Sequence, residues 1–392
     1  MGTAGTTPVT ARLVGHSDVV VWGLTGAERL RRAFRRAGVA LAGDEGSDAA
    51  GTLVLARVDF IYDESLIRAL LASPGCLLTT GAAQGDRQPV AAHLQGSAQA
   101  ADVEDLLLAP RNSESALTAT SLKTVGPMEL AGSHNSALRK RVAPYLLSLS
   151  ELSPSEVERQ MFDGAYKGVT DFVTKRIWPI PALAVTRACA RTRVSPNAVT
   201  FVSLLFVLLA MWLFWIGQFG AGLCAAWMMC FLDTVDGKLA RVTLTSTPMG
   251  NVFDHGIDLI HPPFWYYAWY HGLQLSGASA AEVAALWIVI LGYVGGRLQE
   301  GLFLWMFGFE IHTWRPIDSR FREITARRNP NLFILSIAVV FGAPHQGFLA
   351  VAVWTIASFV FHSVRILQAG VDGLRGRTPA SWLAEPLGAA QS

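Results

Sequence analysis

Hydrophobic and polar residues follow two different patterns along this chain, and the change comes near residue 145. Before that point, short apolar runs such as "DVVVWGL", "GTLVLARVDF" and "CLLTT" are separated by the charged segments "GAERLRRAFRRAG" and "DESLIRALLAS". The apolar runs predict strands, and the charged segments predict amphipathic helices. Because strands that alternate with helices are typical of parallel sheets, the pattern predicts a soluble α/β domain with a parallel layer.

The next fifty residues have the features of a connecting segment. In "SELSPSEVERQ", Ser153 can cap a helix, Pro154 suits its first turn and Glu156 completes a capping box. The stretch "PALAVTRACARTRVSPN" then mixes apolar and arginine positions. This composition favours an amphipathic helix that lies along a membrane surface.

From Asn197 onward the apolar runs are long enough to cross a bilayer, which takes about 20 residues. Lys and Arg are absent from the alternate loops "GQFG", "GLQLSGASAAEV" and "GAPHQG". The positive-inside rule then predicts an inner-membrane protein with both termini on the cytoplasmic side. The predicted transmembrane helices cover residues 197–217, 219–242, 249–272, 281–308, 330–344 and 346–369, of which the fifth is short.

Composition agrees with a membrane protein, since 51% of the residues are hydrophobic and only 16% are charged. A net charge of +2 without a basic low-complexity run excludes nucleic acid as an expected partner. We therefore predict an α-helical multi-pass membrane protein with six transmembrane helices and an N-terminal soluble α/β domain. The predicted boundaries are 1–145 for the soluble domain, 146–195 for the linker and juxtamembrane helix, 196–372 for the membrane domain and 373–392 for a cytoplasmic tail.

The segment "LDTVDGKLARVTLTSTPMGNVFDHGID" places several charges between apolar helices. Ionisable groups within a membrane domain are costly and usually serve a function. Their spacing puts two sets of residues on the facing stripes of consecutive helices. The first stripe holds Asp233, Asp236, Gly237, Ala240 and Arg241, and the second holds Gly250, Asp254 and Asp258.

Four carboxylates that converge in this way would repel one another unless cations neutralise them. Oxygen ligands without cysteine suit Mg²⁺ or Mn²⁺, and we predict two ions bridged by carboxylates. The Gly and Ala positions leave a patch where a flat ligand could lie against the backbone, and Arg241 can pair with phosphate. The alternative is that these charges satisfy one another at a helix interface.

The string D-x2-D-G-x2-A-R-x8-G-x3-D-x3-D, from Asp233 to Asp258, resembles the signature of the CDP-alcohol phosphotransferase family. The stretch "SPNAVT" at 195–200 resembles the entry to that family's first membrane helix. The resemblance implies a six-helix enzyme in which the hydroxyl of an acceptor alcohol attacks the β-phosphorus of a CDP-linked donor and expels CMP. The roles it implies are metal binding for Asp233, Asp236, Asp254 and Asp258; general base for Asp258; cytidine contact for Gly237, Ala240 and Gly250; and phosphate or diphosphate contact for Arg241, Asn197 and Thr200.

The sequence leaves the acceptor open. Arg297 lies inside the fourth predicted helix, and Arg315, Arg320 and Arg322 follow it. These arginines could bind a phosphate on the acceptor, which would then be a phosphorylated polyol such as inositol phosphate or glycerol phosphate. Alternatively, the three loop arginines serve topology and contact anionic lipid, and Arg297 pairs with Glu300 within its helix. The donor could be CDP-diacylglycerol or a soluble CDP-polyol, and we expect a homodimer in contact with membrane lipid.

The front domain resembles the nucleotidyltransferase domain of bifunctional inositol-phosphate cytidylyltransferase and phosphotransferase proteins. The stretch "LVLARVDFIYDESLIRALL" places Asp59 where such domains have a metal-binding acid. The Gly-rich phosphate loop that opens those domains is missing, so we predict a degenerate domain with a structural or regulatory role. The alternatives are a front domain that still makes the CDP-alcohol, and a transporter that uses the acidic cluster. Transport is less favoured because no inverted repeat of the acidic segment is present.

Overall fold

An α/β front domain rests on the end of a bundle of long helices. The structure is a computed structural model that describes residues 8–42, 51–81, 87–109 and 120–384, except for the side chains of residues 251 and 254. The last part of the predicted tail, residues 385–392, lies outside this description.

The front domain is built on a six-stranded sheet. Its strands, in chain order, are β1 (Val9–Val14), β4 (Ala40–Leu41), β5 (Thr52–Arg57), β7 (Cys76–Thr79), β8 (Pro89–Leu94) and β9 (Lys123–Val125). Their spatial order is β4-β1-β5-β8-β7-β9. The pairs β1–β4, β1–β5 and β7–β9 are parallel as predicted, but β8 runs antiparallel to both of its neighbours, so the sheet is mixed and not wholly parallel.

Short strands and helices complete this domain. The predicted amphipathic helices are present as α1 and α2, and α1 starts with a capping box between Thr25 and Glu28. Leu30 and Phe34 of α1 are buried against the sheet. The remaining elements of the front domain and its connections are β2 (Val20–Val21), β3 (Leu24–Thr25), α1 (Gly26–Arg36), β6 (Phe60–Tyr62), α2 (Glu64–Leu71), α3 (Ala100–Leu108), α4 (Pro127–Ala131), β10 (His134–Asn135), β11 (Lys140–Arg141) and β12 (Leu146–Ser148).

The linker contains three helices: α5 (Pro154–Gly164), α6 (Phe172–Arg176) and α7 (Pro179–Arg191). The predicted capping box is confirmed, because the Ser153 side chain accepts a hydrogen bond from the Glu156 amide and Glu156 binds the Ser153 amide in return. Strand β12 falls within the predicted linker, yet it pairs with β6 of the front domain. The front domain and the linker therefore share structure across residue 145.

Six long helices follow, close to the predicted positions. They are α8 (Pro196–Trp215), α9 (Phe219–Val242), α10 (Pro248–Gln274), α11 (Ala280–Phe307), α13 (Arg328–Val340) and α14 (Pro344–Leu374), with α12 (Pro316–Phe321) between α11 and α13. Within the described residues, α8, α9, α11 and α14 are long and apolar enough to cross a membrane. Six spans are therefore not confirmed: α10 carries the second acidic stripe, and α13 has only 13 residues.

Helix α1 attaches the front domain to the end of the aspartate-bearing helix α9. The Arg29 guanidinium donates to the carbonyl of Val242, and Arg32 Nη1 donates to the carbonyl of Thr243 at 2.9 Å. The last carbonyls of a helix have no partner within the helix, so these arginines satisfy them. Burial lowers the pKa of Arg29 to about 10, which still leaves its side chain charged at neutral pH.

Removing this contact should loosen the front domain. In Arg29→Ala the Val242 carbonyl loses its donor, and we expect the free energy of unfolding to fall by about 1–3 kcal/mol. Arg31→Ala is the matched control, since Arg31 is exposed on the same helix. Thermal melting of both variants in detergent measures the difference, and equal melting temperatures would contradict a role for Arg29 in docking.

Candidate active site

A cavity of about 420 Å³ lies where the C-terminal part of α9, the N-terminal part of α10 and the start of α13 meet the linker. Its wall includes five residues predicted from the sequence: Asp233, Arg241, Asp258, Arg297 and Arg322. The structure therefore brings together one acid from each predicted stripe, and it places two of the predicted acceptor arginines in the same wall.

Arg328, the first residue of α13, connects the two acids. Its Nη2 donates to Asp233 Oδ2 at 2.5 Å, and its Nη1 donates to Asp258 Oδ1. The Arg328 side chain is 16% exposed and the Asp258 side chain 40% exposed. The two carboxylates thus lie within the reach of one guanidinium, on the border between the cavity and solvent.

The other two predicted metal ligands differ from this pair. Asp236 is buried, and its Oδ2 accepts a hydrogen bond from Thr200 Oγ1 at 2.6 Å. The structure therefore places Thr200, a predicted phosphate contact, directly beside a predicted metal ligand. Asp254 lies in α10 one turn before Asp258, but its side chain is not among those described.

The donor set is chemically suited to a hard divalent cation. Asp233, Asp236 and Asp258 offer carboxylate oxygens, which Mg²⁺ and Mn²⁺ prefer. The guanidinium of Arg328 between two of them shows that a cation is accommodated at that point. Among the described side chains, no group of three or more His, Cys, Asp or Glu is close enough to hold a metal ion. Because Asp254 is outside that set, the metal centre stays a prediction.

Two glycines of the signature pack closely against predicted donor-site residues. A Cβ at Gly250 would lie 2.8 Å from Asn197 Oδ1 and 3.0 Å from Thr247 Oγ1. A Cβ at Gly237 would lie 3.3 Å from the Arg241 Nη2. Asn197 itself is exposed, and Ala240 is partly buried. A side chain at either position would therefore crowd these neighbouring atoms, with or without a bound ligand.

The wall of the cavity also carries several basic residues. Arg322 is 8% exposed, and its Nε and Nη1 atoms have no hydrogen-bond partner among the residues that the structure describes. Burial, followed by the charge of Arg327, lowers the pKa of Arg322 to about 9. Lys167 lines the same cavity, and its pKa is lowered by burial and then by Arg139 and Arg241. An anion would stabilise the charged form of each of these groups.

One acid lies among these cations and is fixed by its own contacts. Burial would raise the pKa of Asp171, but hydrogen bonds from the Asn329 side chain and the Thr174 amide, at 2.9 and 3.0 Å, hold it below the usual value. Asp171 is therefore anionic at neutral pH.

The four predicted acceptor arginines divide into two pairs. Arg297 and Arg322 line the cavity, although Arg297 also forms the intrahelical pair with Glu300 at 3.3 Å. Arg315 binds Asp372 at 2.7 Å, and Arg320 is exposed; neither lines the cavity. The structure therefore does not bring the second pair to the cavity.

Sequence reasoning missed five lysines and arginines of the cavity: Arg139, Lys167, Lys238, Arg327 and Arg328. Lys238 lies between signature positions and is buried, with its Nζ on the Ala165 carbonyl at 3.0 Å and 3.0 Å from the centre of the Tyr166 ring. Arg328 begins the short fifth helix, which was the available signal. Arg139 and Lys167 lie in the front domain and the linker, far from the signature in sequence.

The front domain's predicted metal-binding acid is already engaged. Arg57 holds Asp59 with Nε at 2.9 Å and Nη2 at 2.5 Å. This fork satisfies both carboxylate oxygens with one neighbouring cation.

The segment that carries the signature matches the model of a known protein family. The family model for CDP-alcohol phosphatidyltransferase matches residues 193–307. The chain is 27% identical over 169 residues to a bifunctional IPC transferase and DIPP synthase of Rubrobacter xylanophilus, covering 41% of this chain and 34% of that protein. It is 33% identical over 86 residues to human ethanolaminephosphotransferase 1, covering 20% of this chain and 22% of that protein. The chain thus spans about a third or less of the length of these relatives.

Solved structures show a weaker likeness. The phosphatidylinositol phosphate synthase PgsA1 of Mycobacterium tuberculosis in its apo form aligns with a TM-score of 0.38 at 20% identity, covering 47% of this chain and 95% of that chain. The same enzyme has also been solved with CDP-DAG bound and in complex with manganese and citrate. The matched residues 193–307 contain every position from Asp233 to Asp258, so the segment that carries the signature is similar to CDP-alcohol phosphatidyltransferases.

Proposed function

We propose that this protein is an integral membrane transferase that moves a substituted phosphate group from a CDP-linked donor to an alcohol and releases CMP. One observation carries the proposal: Asp233 and Asp258, from opposite ends of the signature, converge on one guanidinium at a cavity that Lys167 and Arg322 also line. Such a cavity offers separate places for a metal-bound diphosphate and for an acceptor. The donor is CDP-diacylglycerol or a CDP-polyol.

In this proposal Asp233, Asp236, Asp254 and Asp258 hold Mg²⁺ or Mn²⁺, two ions in all. Bound there, the metal would neutralise and orient the diphosphate. Asp258 accepts the proton of the acceptor hydroxyl while the new P–O bond forms and the bond to CMP breaks. Arg241 contacts phosphate, and Gly237, Ala240 and Gly250 leave room for the cytidine.

The acceptor in this proposal is a phosphorylated polyol, such as inositol phosphate or glycerol phosphate. A phosphate monoester brings a charge of about −2 at neutral pH. Arg322 is buried with two nitrogens that lack a partner in the described part of the chain, and leaving such donors unmatched is costly. A phosphate group beside this side chain would accept a hydrogen bond from one of them. Arg297 contacts the acceptor from the neighbouring helix.

For the front domain we propose a structural role without cytidylyltransferase activity, because Arg57 engages the acid that would bind metal. The domain boundaries 1–145, 146–195, 196–372 and 373–392 are part of the proposal, as are an inner-membrane location with cytoplasmic termini and a homodimer. The names of the relatives support transfer to an alcohol, since one is an ethanolaminephosphotransferase and another an IPC transferase.

Asp258→Asn should lower the rate of CMP release by about 100-fold or more, because an amide cannot take the proton of the acceptor hydroxyl. Binding of the CDP-linked donor should change little. The assay uses purified protein with CDP-diacylglycerol, Mn²⁺ and inositol phosphate, and Asp102→Asn, an exposed acid in α3, is the control. Unchanged turnover in Asp258→Asn would contradict its assignment as the base.

Arg322→Ala should raise the acceptor KM by roughly tenfold or more and leave the donor KM nearly unchanged, because a hydrogen bond to a charged group contributes about 1.5–3 kcal/mol. Arg320→Ala is the matched control, since Arg320 is exposed and outside the cavity. Both variants are measured with a polyol phosphate and with the corresponding neutral polyol. If the wild-type enzyme uses both acceptors equally well, the phosphate pocket does not exist.

Arg328→Gln should bind Mn²⁺ more tightly than the wild-type protein, because it removes a cation that occupies the carboxylates of Asp233 and Asp258. Electron paramagnetic resonance of free Mn²⁺ during titration measures the affinity without any turnover. Arg327→Gln is the neighbouring control, since Arg327 binds Glu300 instead. Equal or weaker Mn²⁺ binding by Arg328→Gln would show that Arg328 does not compete with the metal.

A further inference from the structure

We infer that the hairpin of residues 134–141, which belongs to the front half of the chain, supplies Arg139 to the acceptor end of the cavity as a specificity-determining residue. This inference rests on the proposed function and goes beyond it, because it makes the front half part of the phosphotransfer site. Arg139 lines the same cavity as Lys167, Arg322 and Arg327.

The turn of the hairpin is fixed against the linker. Strands β10 and β11 pair antiparallel, and Arg139 between them has a φ of 48°, a left-handed conformation that is uncommon for residues other than glycine. The Gly168 amide donates to the Leu138 carbonyl at 2.8 Å. A Cβ on Gly168 would lie 2.5 Å from the Arg139 carbonyl oxygen, so only glycine permits this approach. The backbone of Arg139 is thus held in place from the linker side.

A second set of contacts joins the hairpin to helix α12 through residues 382 and 383. Arg141 Nη2 donates a hydrogen bond to the Trp382 carbonyl, and Arg141 Nε donates one to the Leu383 carbonyl at 3.2 Å. Trp382 Nε1 in turn donates to Ser319 Oγ at 2.9 Å, three residues before Arg322. The tail therefore connects the hairpin to the segment that carries the buried arginine of the acceptor site.

The side chain of Arg139 is oriented by one acid. Glu310, between α11 and α12, lies 2.8 Å from the Arg139 Nε, and the arginine side chain is 21% exposed. A guanidinium has five N–H donors, so one carboxylate leaves donors for a second anion. Arg139 and Arg322 then approach a phosphate from two different segments, one before and one inside the membrane domain.

The charges at this end of the cavity support an anionic ligand. Arg139, Lys167, Arg322 and Arg327 all line the cavity, and like charges repel one another. Arg327 is balanced by Glu300, Arg139 in part by Glu310, and Arg322 in part by the charge of Asp171. Arg322 keeps two nitrogens without partners among the described residues. A dianionic phosphate between Arg139 and Arg322 would remove this imbalance.

The test compares full-length variants in detergent with CDP-diacylglycerol, Mn²⁺ and either inositol phosphate or inositol. Arg139→Ala should raise the KM for inositol phosphate about tenfold and leave the donor KM and the rate with inositol nearly unchanged. The KM of Arg139→Lys for inositol phosphate should lie between those of the wild-type enzyme and Arg139→Ala, because lysine keeps the charge but lacks the planar fork of donors. Arg31→Ala, an exposed arginine of the front domain, is the control.

Gly168→Ala provides a second variant, in which no cationic residue is replaced. Its new methyl group would displace the hairpin from the linker, so we expect the same selective rise in the KM for inositol phosphate. Melting temperatures of all variants show whether they are folded. A Gly168→Ala enzyme with the wild-type KM would contradict the positioning of Arg139 by this contact.

Two outcomes separate the inference from the proposed function. If Arg322→Ala raises the KM for inositol phosphate and Arg139→Ala does not, the hairpin is not part of the site, while the proposed acceptor stands. If the wild-type enzyme does not distinguish inositol phosphate from inositol, both the proposed acceptor and the role of Arg139 are wrong.

Discussion

Repulsion between the carboxylates of Asp233 and Asp258 is the constraint on which the site depends. They come from two different helices, and both contact the guanidinium of Arg328. Two negative charges so close together oppose the packing of α9 against α10. Arg328 offsets that repulsion from the first turn of a third helix. A cation at this point therefore stabilises the bundle as well as the site. A divalent metal would serve the same electrostatic purpose with a larger charge.

The remaining charges are arranged around this point. Asp233 and Asp258 line the cavity together with cations from the hairpin, the linker and the segments after α11. Under the proposed function, the metal-bound diphosphate lies at the aspartates, and the phosphate of the acceptor lies at Arg139 and Arg322. Because these cations lie outside the signature, the specificity for the acceptor can vary without any change in the signature.

Helix positions and helix caps were predicted well from the sequence, because they depend on residues that are close together in the chain. The capping box at Ser153 and Glu156 and the positions of the long helices are examples. Strand β8 was not among the predicted strands, and its antiparallel direction depends on a connection that periodicity does not encode. Arg139 and Lys167 were missed for a similar reason: only tertiary contacts bring them to Arg322. Arg315 and Arg320 resembled Arg322 in sequence, and burial alone separates them.

The contact between Arg141 and Trp382 joins two segments that leave the ribosome far apart in time. Helices α8 to α14 have all been synthesised before residues 381–384 appear, so these residues hold the hairpin only after the long helices exist. The contacts of Arg328 with Asp233 and Asp258 need only α9, α10 and α13, and they can form earlier. Biogenesis would then produce an intermediate in which these contacts are made while the hairpin is not yet held by residues 382 and 383.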